Sequence, residues 1–361
     1  MLKKLVNEAL CTLRITTTGP LLVKSGHASI SGPDMTPVLT FRNGRQEVFI
    51  PGSSLKGVFR SHIEKIVCSL KPQVVCYPFD ESEERQTDRE QRQRDYRFSC
   101  GSHFTQLAKQ ERARRLLEER PDLVYADSCP TCRLFGSTGF TGRMAISDAY
   151  LVSDEVKEQR DGVGIDRLTG GASHGAKFEL EVVSTGVAFE TNIHLRNFEI
   201  WQLGMLFVVL QDLEDELIRI GSGRSRGLGN VTATISDSGV GRRPGGFVIN
   251  TMRGSQQQEP DKQLWGLGCW LGDGSYGTQP TDYVEFSTAV EREKHGIRNQ
   301  RMFTGDALKS LRTAAIDHFI ERMQQWPTKF SAIEDELARS ATSDSNSETK
   351  KKGVRDGRDT L

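Results

Sequence analysis

The chain has 361 residues, of which 36% are hydrophobic and 27% are charged, and its formal net charge is zero. This composition is typical of a folded protein with one large or two ordinary domains, and it excludes recruitment of nucleic acid through an overall excess of positive charge. No apolar run approaches a membrane span and the first residues lack a signal core, so we expect a cytoplasmic protein with no membrane partner. In a reducing compartment, its seven cysteines favour metal binding over disulfide bonds.

Alternating and helical apolar patterns define the main elements of the first 236 residues. In chain order these are a strand at 9–18, a helix at 55–70, a strand at 144–152, a hairpin of strands at 178–183 and 187–195, a helix at 200–217 and a strand at 230–235. Strand, helix, strand, strand, helix, strand is the order of the ferredoxin-like fold. We therefore predict an α+β domain over residues 1–236.

The other segments carry less regular patterns. Residues 77–142 form an insertion whose first part mixes many charges of both signs, as is typical of a solvated loop or an exposed helix. Residues 237–339 form a C-terminal extension, with one predicted helix at 305–326 and no clear period over 241–300. Residues 340–361 contain few apolar side chains and are predicted to be disordered.

Cys129 and Cys132 form a CxxC pair that can supply half of a tetrahedral zinc site. Cys76 and Cys100 flank the charged part of the insertion and are the best candidates for the other two ligands, with His103 as a competitor. Zinc would tie down a polar segment that cannot bury its own core. A redox CxxC is the alternative, but no strand–helix–strand context of the thioredoxin type surrounds the pair.

A turn with glycine leads into the start of the predicted helix in the segment Ile50-Pro-Gly-Ser-Ser-Leu-Lys-Gly-Val-Phe-Arg60. Free backbone N–H groups gather at such a start and favour phosphate binding. The candidate contacts are Ser53, Ser54, Lys56 and Arg60. Ser53 or Ser54 could equally be the N-cap of an ordinary helix whose two cations are solvated.

Two glycine-rich segments carry further basic residues. The loop at 221–229 has four glycines and holds Arg224, Ser225 and Arg226. Because it follows a helix and precedes a strand, it is not a Walker A or Rossmann loop. In the segment 162–175, Arg167 and His174 could lie across a nucleic-acid strand. A flexible connection and a disordered loop are the respective alternatives.

Asp34 stands in the motif Gly-Pro-Asp-Met-Thr-Pro, in the loop after the first strand. An acidic residue on a mobile loop can bind Mg²⁺ or position a 2′-hydroxyl group for attack on its own phosphate. Aspartate after Gly-Pro is otherwise a common turn former. Both interpretations fit this motif.

Four motifs together resemble the RAMP superfamily, and most of all the backbone subunits of type III CRISPR effector complexes. They are Pro51-Gly-Ser-Ser-Leu-Lys-Gly-Val-Phe-Arg60, Cys132-Arg-Leu-Phe-Gly136, Ile165-Asp-Arg-Leu-Thr-Gly170 and the loop at 221–229. The resemblance covers residues 9–236 and leaves out 237–361. It implies a modified ferredoxin-like, RNA-recognition-type fold with a zinc-containing insertion (77–142), a thumb and hairpin region (153–198) and a C-terminal extension.

The resemblance also implies partners and residue roles. Related RAMP subunits would stack along a guide RNA, and the helix start and the loop at 221–229 would hold its phosphates and riboses. A thumb beginning near 165–175 would wedge into the duplex of guide and target RNA, and the cysteines would hold structural zinc. Members that cleave RNA carry an aspartate at the position matching Asp34, although here the following proline is one residue further away than in the commonest form.

Three interpretations follow from this resemblance. The chain binds guide RNA and cleaves target RNA through Asp34 with a divalent cation such as Mg²⁺, or it is a scaffold that binds without cleaving. A guide-processing endonuclease is the third, and the CxxC pair and the segment 165–170 argue against it. The neutral charge fits the first two, because a subunit held by its neighbours needs no large basic field to find RNA.

Overall fold

The computed structural model describes residues 4–26, 32–42, 44–79, 93–236, 245–254, 258–287 and 289–339. The strands are β1 (Asn7–Thr17), β2 (Leu39–Arg42), β3 (Arg45–Ile50), β4 (Gly136–Ser137), β5 (Phe140–Thr141), β6 (Met144–Ile146), β7 (Ala149–Leu151), β8 (Lys157–Ile165), β9 (Ala172–Val183), β10 (Ala188–Arg196), β11 (Val231–Ile235), β12 (Phe247–Met252), β13 (Gln263–Trp265), β14 (Tyr283–Glu285), β15 (Glu293–His295) and β16 (Arg298–Phe303). The helices are α1 (Gly52–Leu70), α2 (Cys100–Leu107), α3 (Glu111–Glu119), α4 (Asp122–Asp127), α5 (Pro130–Phe135), α6 (Ile200–Glu214), α7 (Leu267–Leu271) and α8 (Gly305–Gln325). Residues 332–339 are also helical.

Strand β1 is the centre of the main sheet. Its alternating residues Ala9, Cys11, Leu13 and Ile15 are buried on one face, as period-two patterning requires. One edge of β1 pairs with β10, while the other edge is shared by β11 and β12, and all three pairings are antiparallel. The predicted first strand is therefore confirmed and has two strands along a single edge.

Most of the elements predicted from the sequence lie around β1 in a definite spatial order. Strand β11 pairs with β1, β1 with β10, and β10 with β6 and β7, always antiparallel. Phe59 of α1 and Phe207 of α6 lie in the same core cluster as Ile15 of β1. The predicted α+β class is confirmed, and the structure shows that its main sheet is large and antiparallel.

Residues beyond 236 contribute to this same sheet and core. Strand β12 pairs with β16, and β16 pairs with β15. Helix α8, which matches the predicted helix at 305–326, packs on α6, and Trp326 at its C-terminal end meets Trp201 edge to face with ring centroids 5.0 Å apart. The C-terminal extension thus continues the sheet and the hydrophobic core of the preceding residues.

The predicted hairpin of residues 178–183 with 187–195 is wrong. Strand β9 pairs with β8, from Lys157 opposite Val183 to Ile165 opposite Ala172. Strand β10 instead pairs with β1 in the main sheet. There its alternating apolar side chains, among them Phe189 and Ile193, are buried in the core. The two-stranded β8–β9 hairpin, called the ribbon below, projects as a sheet of its own.

Some predictions fall on other parts of the chain. The charged stretch at 80–92 and the tail at 340–361 lie outside the described residues. Among the described helices, none is long and apolar enough to cross a lipid bilayer.

Candidate metal centre and ribbon site

The four cysteines predicted as zinc ligands meet in one buried cluster. Cys76, Cys100, Cys129 and Cys132 are each at most 2% exposed, and their sulfur atoms all lie within 4.8 Å of one another. The Sγ atom of Cys76 is 3.5 Å from that of Cys132 and 3.6 Å from that of Cys129. Zinc–sulfur bonds in a tetrahedron place sulfurs about 3.8 Å apart, so the cluster fits a four-thiolate zinc site.

The starts of helices α2 and α5 and the segment after α1 position these four thiols. Cys129 is the N-cap of α5, Pro130 occupies its first turn, and the backbone N–H of Cys132 donates to Cys129 Sγ at 3.4 Å. Cys100 opens α2 and accepts from the backbone N–H of Cys129 at 3.3 Å. Cys76 follows α1. Because helix starts present unpaired N–H groups, they stabilise negative sulfur at this centre.

Two arginines also contact the sulfurs. Arg97, only 7% exposed, donates to Cys100 Sγ at 3.2 Å, and Arg60 donates to Cys132 Sγ at 3.6 Å. Burial opposes the charge of Arg97, but the thiolates of Cys100 and Cys129 raise the pKa of its guanidinium group. Four thiolates and one Zn²⁺ carry a net charge of about −2, so the two guanidinium groups neutralise the centre.

The segment that follows α8 closes over this centre. The carboxylate of Asp127 accepts hydrogen bonds from the backbone N–H groups of Ser331, Ala332 and Ile333 at 2.8–3.0 Å. Ile333 is fully buried against the cysteines. His103, considered as a competing ligand, instead stacks on Phe330 with ring centroids 3.7 Å apart. Among the described residues, only the four cysteines form a group able to share a metal ion.

The predicted phosphate site at the start of α1 is partly occupied by the protein itself. The helix begins at Gly52 with Pro51 as its N-cap, so neither Ser53 nor Ser54 caps it. The N–H of Gly52 donates to the Asp148 carboxylate at 2.8 Å. Ser53 is exposed, while Ser54 and Lys56 are half-buried, and burial, together with the charge of Arg60, lowers the pKa of Lys56.

Arg60 is directed away from this helix start. Besides the Cys132 sulfur, it binds Glu64 at 2.8 Å and the carbonyl oxygen of Gly136 at 3.1 Å, and 24% of its side chain is exposed. RNA binding by Arg60 stays a prediction. In the structure, Arg60 connects α1 to the metal centre through its contacts with Glu64 and with the Cys132 sulfur.

Asp34 and the loop at 221–229 both meet the ribbon. Asp34 is exposed, and its Oδ2 atom accepts the backbone N–H of Glu179 at 2.8 Å. The guanidinium carbon of Arg226 lies 5.4 Å from the ring centroid of Phe178. Leu22, Leu180 and Leu228 bury a small separate core beneath these contacts. Two predicted sites that are far apart in sequence therefore adjoin consecutive residues of β9.

The glycines of the loop at 221–229 have a packing role. A Cβ atom on Gly221 would lie 2.3 Å from the carbonyl oxygen of Leu22, and one on Gly229 would lie 2.2 Å from that of Ile220. Both residues have φ values near +85°, which favour glycine. Arg224, Ser225 and Arg226 form a short 3₁₀ turn and are exposed.

The tip of the ribbon carries the other two predicted RNA contacts. Arg167 lies in the turn and His174 in β9, and both are exposed. Asp166 holds the turn by accepting the backbone N–H groups of Leu168 and Thr169 at 2.7 and 2.9 Å. Leu168 is 96% exposed at the apex. The predicted glycine-rich arm is thus the end of an ordered hairpin with an apolar tip.

Sequence reasoning did not identify the residues that surround the metal centre. Arg97 and Asp127 lie close to predicted ligands in the sequence, but nothing in their spacing distinguishes them from solvated charges. Phe330 and Ile333 come from a segment for which no contact was predicted. Only the fold brings these side chains to the cysteines.

The sequence that forms these features matches a known family. The family model of the RAMP superfamily matches residues 14–232. Because this match covers more than half of the 361 residues, the chain belongs to the RAMP superfamily, as predicted. A comparison with curated proteins gave no match.

Proposed function

We propose that this chain is a backbone subunit of a type III CRISPR effector complex, which binds the guide RNA and shapes the duplex formed with target RNA. The match to the RAMP superfamily over residues 14–232 carries this proposal. The partners would be guide RNA, complementary target RNA and other RAMP subunits. The four-strand order β11–β1–β10–β6/β7 supports a modified ferredoxin-like domain, with a structural zinc site in the insertion at 77–142.

Local cation clusters would bind the RNA, since the net charge is zero. Arg224, Ser225 and Arg226 would contact guide phosphates from the loop beside β9, and Ser53, Ser54 and Lys56 from the start of α1. Such contacts make affinity dependent on salt. The ribbon, within residues 153–198, would act as the thumb. Arg167 and His174 would flank its exposed Leu168, which suits insertion between base pairs.

The finer proposal is that Asp34 cleaves the paired target RNA. The 2′-hydroxyl oxygen would attack the adjacent phosphorus, giving up its proton, and the 5′-oxygen would leave and take up a proton. The products would be a 2′,3′-cyclic phosphate and a 5′-hydroxyl. One oxygen of Asp34 is fixed by the N–H of Glu179, which leaves the other for a divalent cation such as Mg²⁺ or for the 2′-hydroxyl group.

The test is cleavage of labelled, guide-complementary RNA by the assembled complex, with Mg²⁺ or with EDTA. Asp34→Asn keeps an oxygen that can accept the Glu179 N–H but removes the charge, whereas Asp34→Ala removes both. We expect both variants to lose cleavage by about 100-fold or more while guide RNA stays bound. Asp161→Ala on the ribbon is the matched control, because Asp161 is exposed and pairs only with Lys177 in the described residues.

An unchanged cleavage pattern in both Asp34 variants would favour the second candidate function, a scaffold that binds RNA without cutting it. Loss of cleavage in Asp34→Ala alone would indicate that the contact with Glu179 matters and the charge does not. Asp34 would then have no catalytic role, and its function would be to position its loop against the ribbon.

A further inference from the structure

A polar recess lies on the outer face of the main sheet, opposite the face that carries the core. It has a volume of about 340 Å³, within the usual range of small-ligand sites. Strands β1 and β10 form one side, and β12, β15 and β16 from the C-terminal extension form the other. Its lining residues include none from the ribbon, the loop at 221–229 or the four-cysteine cluster. We propose that this recess binds a nucleoside phosphate.

Arg298 is the group of the recess that can bind an anion, and Glu8 fixes its position. Glu8, at the base, is buried and accepts from Arg298 Nε at 2.7 Å and pairs with His194 Nε2 at 2.9 Å. The hydrogen bond with His194, opposed by burial and reinforced by Arg298, lowers the pKa of Glu8 to about 2. A single carboxylate thus faces Arg298, His194 and the exposed His295. Glu8 holds the guanidinium group of Arg298 in place, and the exposed His295 lies beside it as a further group that can donate to an anion.

Arg298 is held in a geometry that suits a phosphate group. Its Nε atom is committed to Glu8, and within the described residues its two terminal nitrogens have no hydrogen-bond partner. His295 is its neighbour across the β15–β16 hairpin. A guanidinium group fixed through Nε and open at its other two nitrogens can bind two oxygens of one phosphate.

The rest of the recess suits a nucleobase better than a bare ion. The Asn192 side-chain oxygen accepts from Thr12 at 3.0 Å, and that of Asn250 accepts from Gln300 at 3.3 Å. These bonds leave two amide NH₂ groups and the Gln300 carbonyl oxygen available. Leu10, which is half-buried, offers an apolar surface to a ring, and the buried Val248 packs beside it on the neighbouring strand. Donors, an acceptor and an apolar floor are what a base edge and face require.

The experiment is calorimetric titration of the full-length chain with AMP, UMP, adenosine and inorganic phosphate. We expect a nucleotide to bind more tightly than phosphate or adenosine alone. Arg298→Gln should weaken nucleotide binding about tenfold or more. His295→Ala should weaken it too, and because His295 is exposed at the end of β15, this variant reports binding even if Arg298→Gln fails to fold. Arg14→Gln, on the same face of β1 but outside the recess, is the matched control.

A second arm identifies the source of the nucleotide. Displacement of labelled AMP by single-stranded RNA would assign the recess to an RNA strand, and failure of RNA to displace it would assign the recess to free nucleotides. Either result supports the proposal. No nucleotide binding, binding that both variants leave unchanged, or phosphate binding as tight as that of AMP would overturn it. None of these outcomes depends on guide binding or on cleavage by Asp34.

Discussion

At the scale of single residues, the sulfur cluster depends on charge balance as much as on its four ligands. Arg97 is buried against Cys100, and Arg60 reaches Cys132. Removing one thiolate would therefore remove a ligand and also leave buried cations short of negative charge. An unpaired buried charge is among the more costly defects in a folded protein.

We predict that Cys129→Ser abolishes binding of a single zinc ion and lowers the free energy of unfolding by about 3 kcal/mol or more. Metal content by plasma mass spectrometry and urea denaturation measure the two effects. Chelator should lower the melting temperature of the wild type but leave that of Cys129→Ser nearly unchanged.

Cys68→Ser is the matched control, because Cys68 is a half-buried cysteine outside the cluster. If Cys129→Ser retained as much zinc as Cys68→Ser, the four-cysteine centre would not be the zinc site. If neither protein contained zinc, the cluster would have to be explained without that metal.

The cysteines show how far residue-level prediction extends. The CxxC spacing and the two cysteines flanking the charged stretch were enough to predict all four members of the cluster. Arg60 was predicted to face RNA because helical spacing puts it on a polar face with Lys56. Spacing alone could not show that Arg60 also contacts the metal centre, and its contact with RNA stays a prediction.

At the scale of elements, the start of α1 shows why glycine is needed at one point. A Cβ atom on Gly52 would lie 2.4 Å from the carbonyl oxygen of Ile146 and 2.8 Å from the carbonyl carbon of Ser147. The helix therefore starts in direct contact with the backbone between β6 and β7. Gly57, one turn later, has no heavy atom within 4 Å of such a Cβ position.

Replacing each of these two glycines by alanine should have opposite effects on the stability of the protein. Gly52→Ala should destabilise the protein by about 1–3 kcal/mol, because backbone must move to admit the methyl group. Gly57→Ala should stabilise it by up to about 1 kcal/mol, since alanine is the better helix former and meets nothing. Urea denaturation of both variants beside the wild type measures this. Equal effects of the same sign would contradict the close approach at Gly52.

Element boundaries followed from the sequence more readily than strand partners did. Helices α1, α6 and α8 follow clear apolar periods and were predicted close to their observed bounds. The strands at 178–183 and 187–195 were also found, but they were paired with each other. Alternation reveals which face of a strand is buried, whereas its partner depends on long-range packing. Strand β8 was missed because its exposed, charged first half hides the pattern.

At the scale of the whole molecule, the contact between α6 and α8 joins the C-terminal extension to the preceding residues. A Cβ atom on Gly204 of α6 would lie 2.1 Å from the carbonyl oxygen of Ala315 in α8. The two helices therefore meet backbone to backbone at this point. Leu311, Phe319 and Met323 of α8 are buried in the same core as Leu203 and Phe207 of α6.

We predict that Gly204→Ala pushes α8 away from α6 and destabilises the protein by about 2 kcal/mol or more, because the added methyl group would overlap the backbone carbonyl group of Ala315 and the Cβ atom of Phe319. Hydrogen exchange should show the largest loss of protection in α8. Gly57→Ala again serves as the control for alanine in a helix. Unchanged protection in α8 would mean that the extension is held mainly by β12 and β16.

Strand β1 contacts segments that lie far along the chain, and this affects how the protein folds during its synthesis. Asn7 bonds to Phe198 and Trp265, which are 191 and 258 residues further along the chain. Strand β1 is therefore synthesised well before its partners β10, β11 and β12, and contacts this distant in the chain make folding slow. Protease digestion of stalled nascent chains should find β1 cleavable until residues past 252 have emerged. During that interval, an unpaired apolar strand would be open to chaperones and to aggregation.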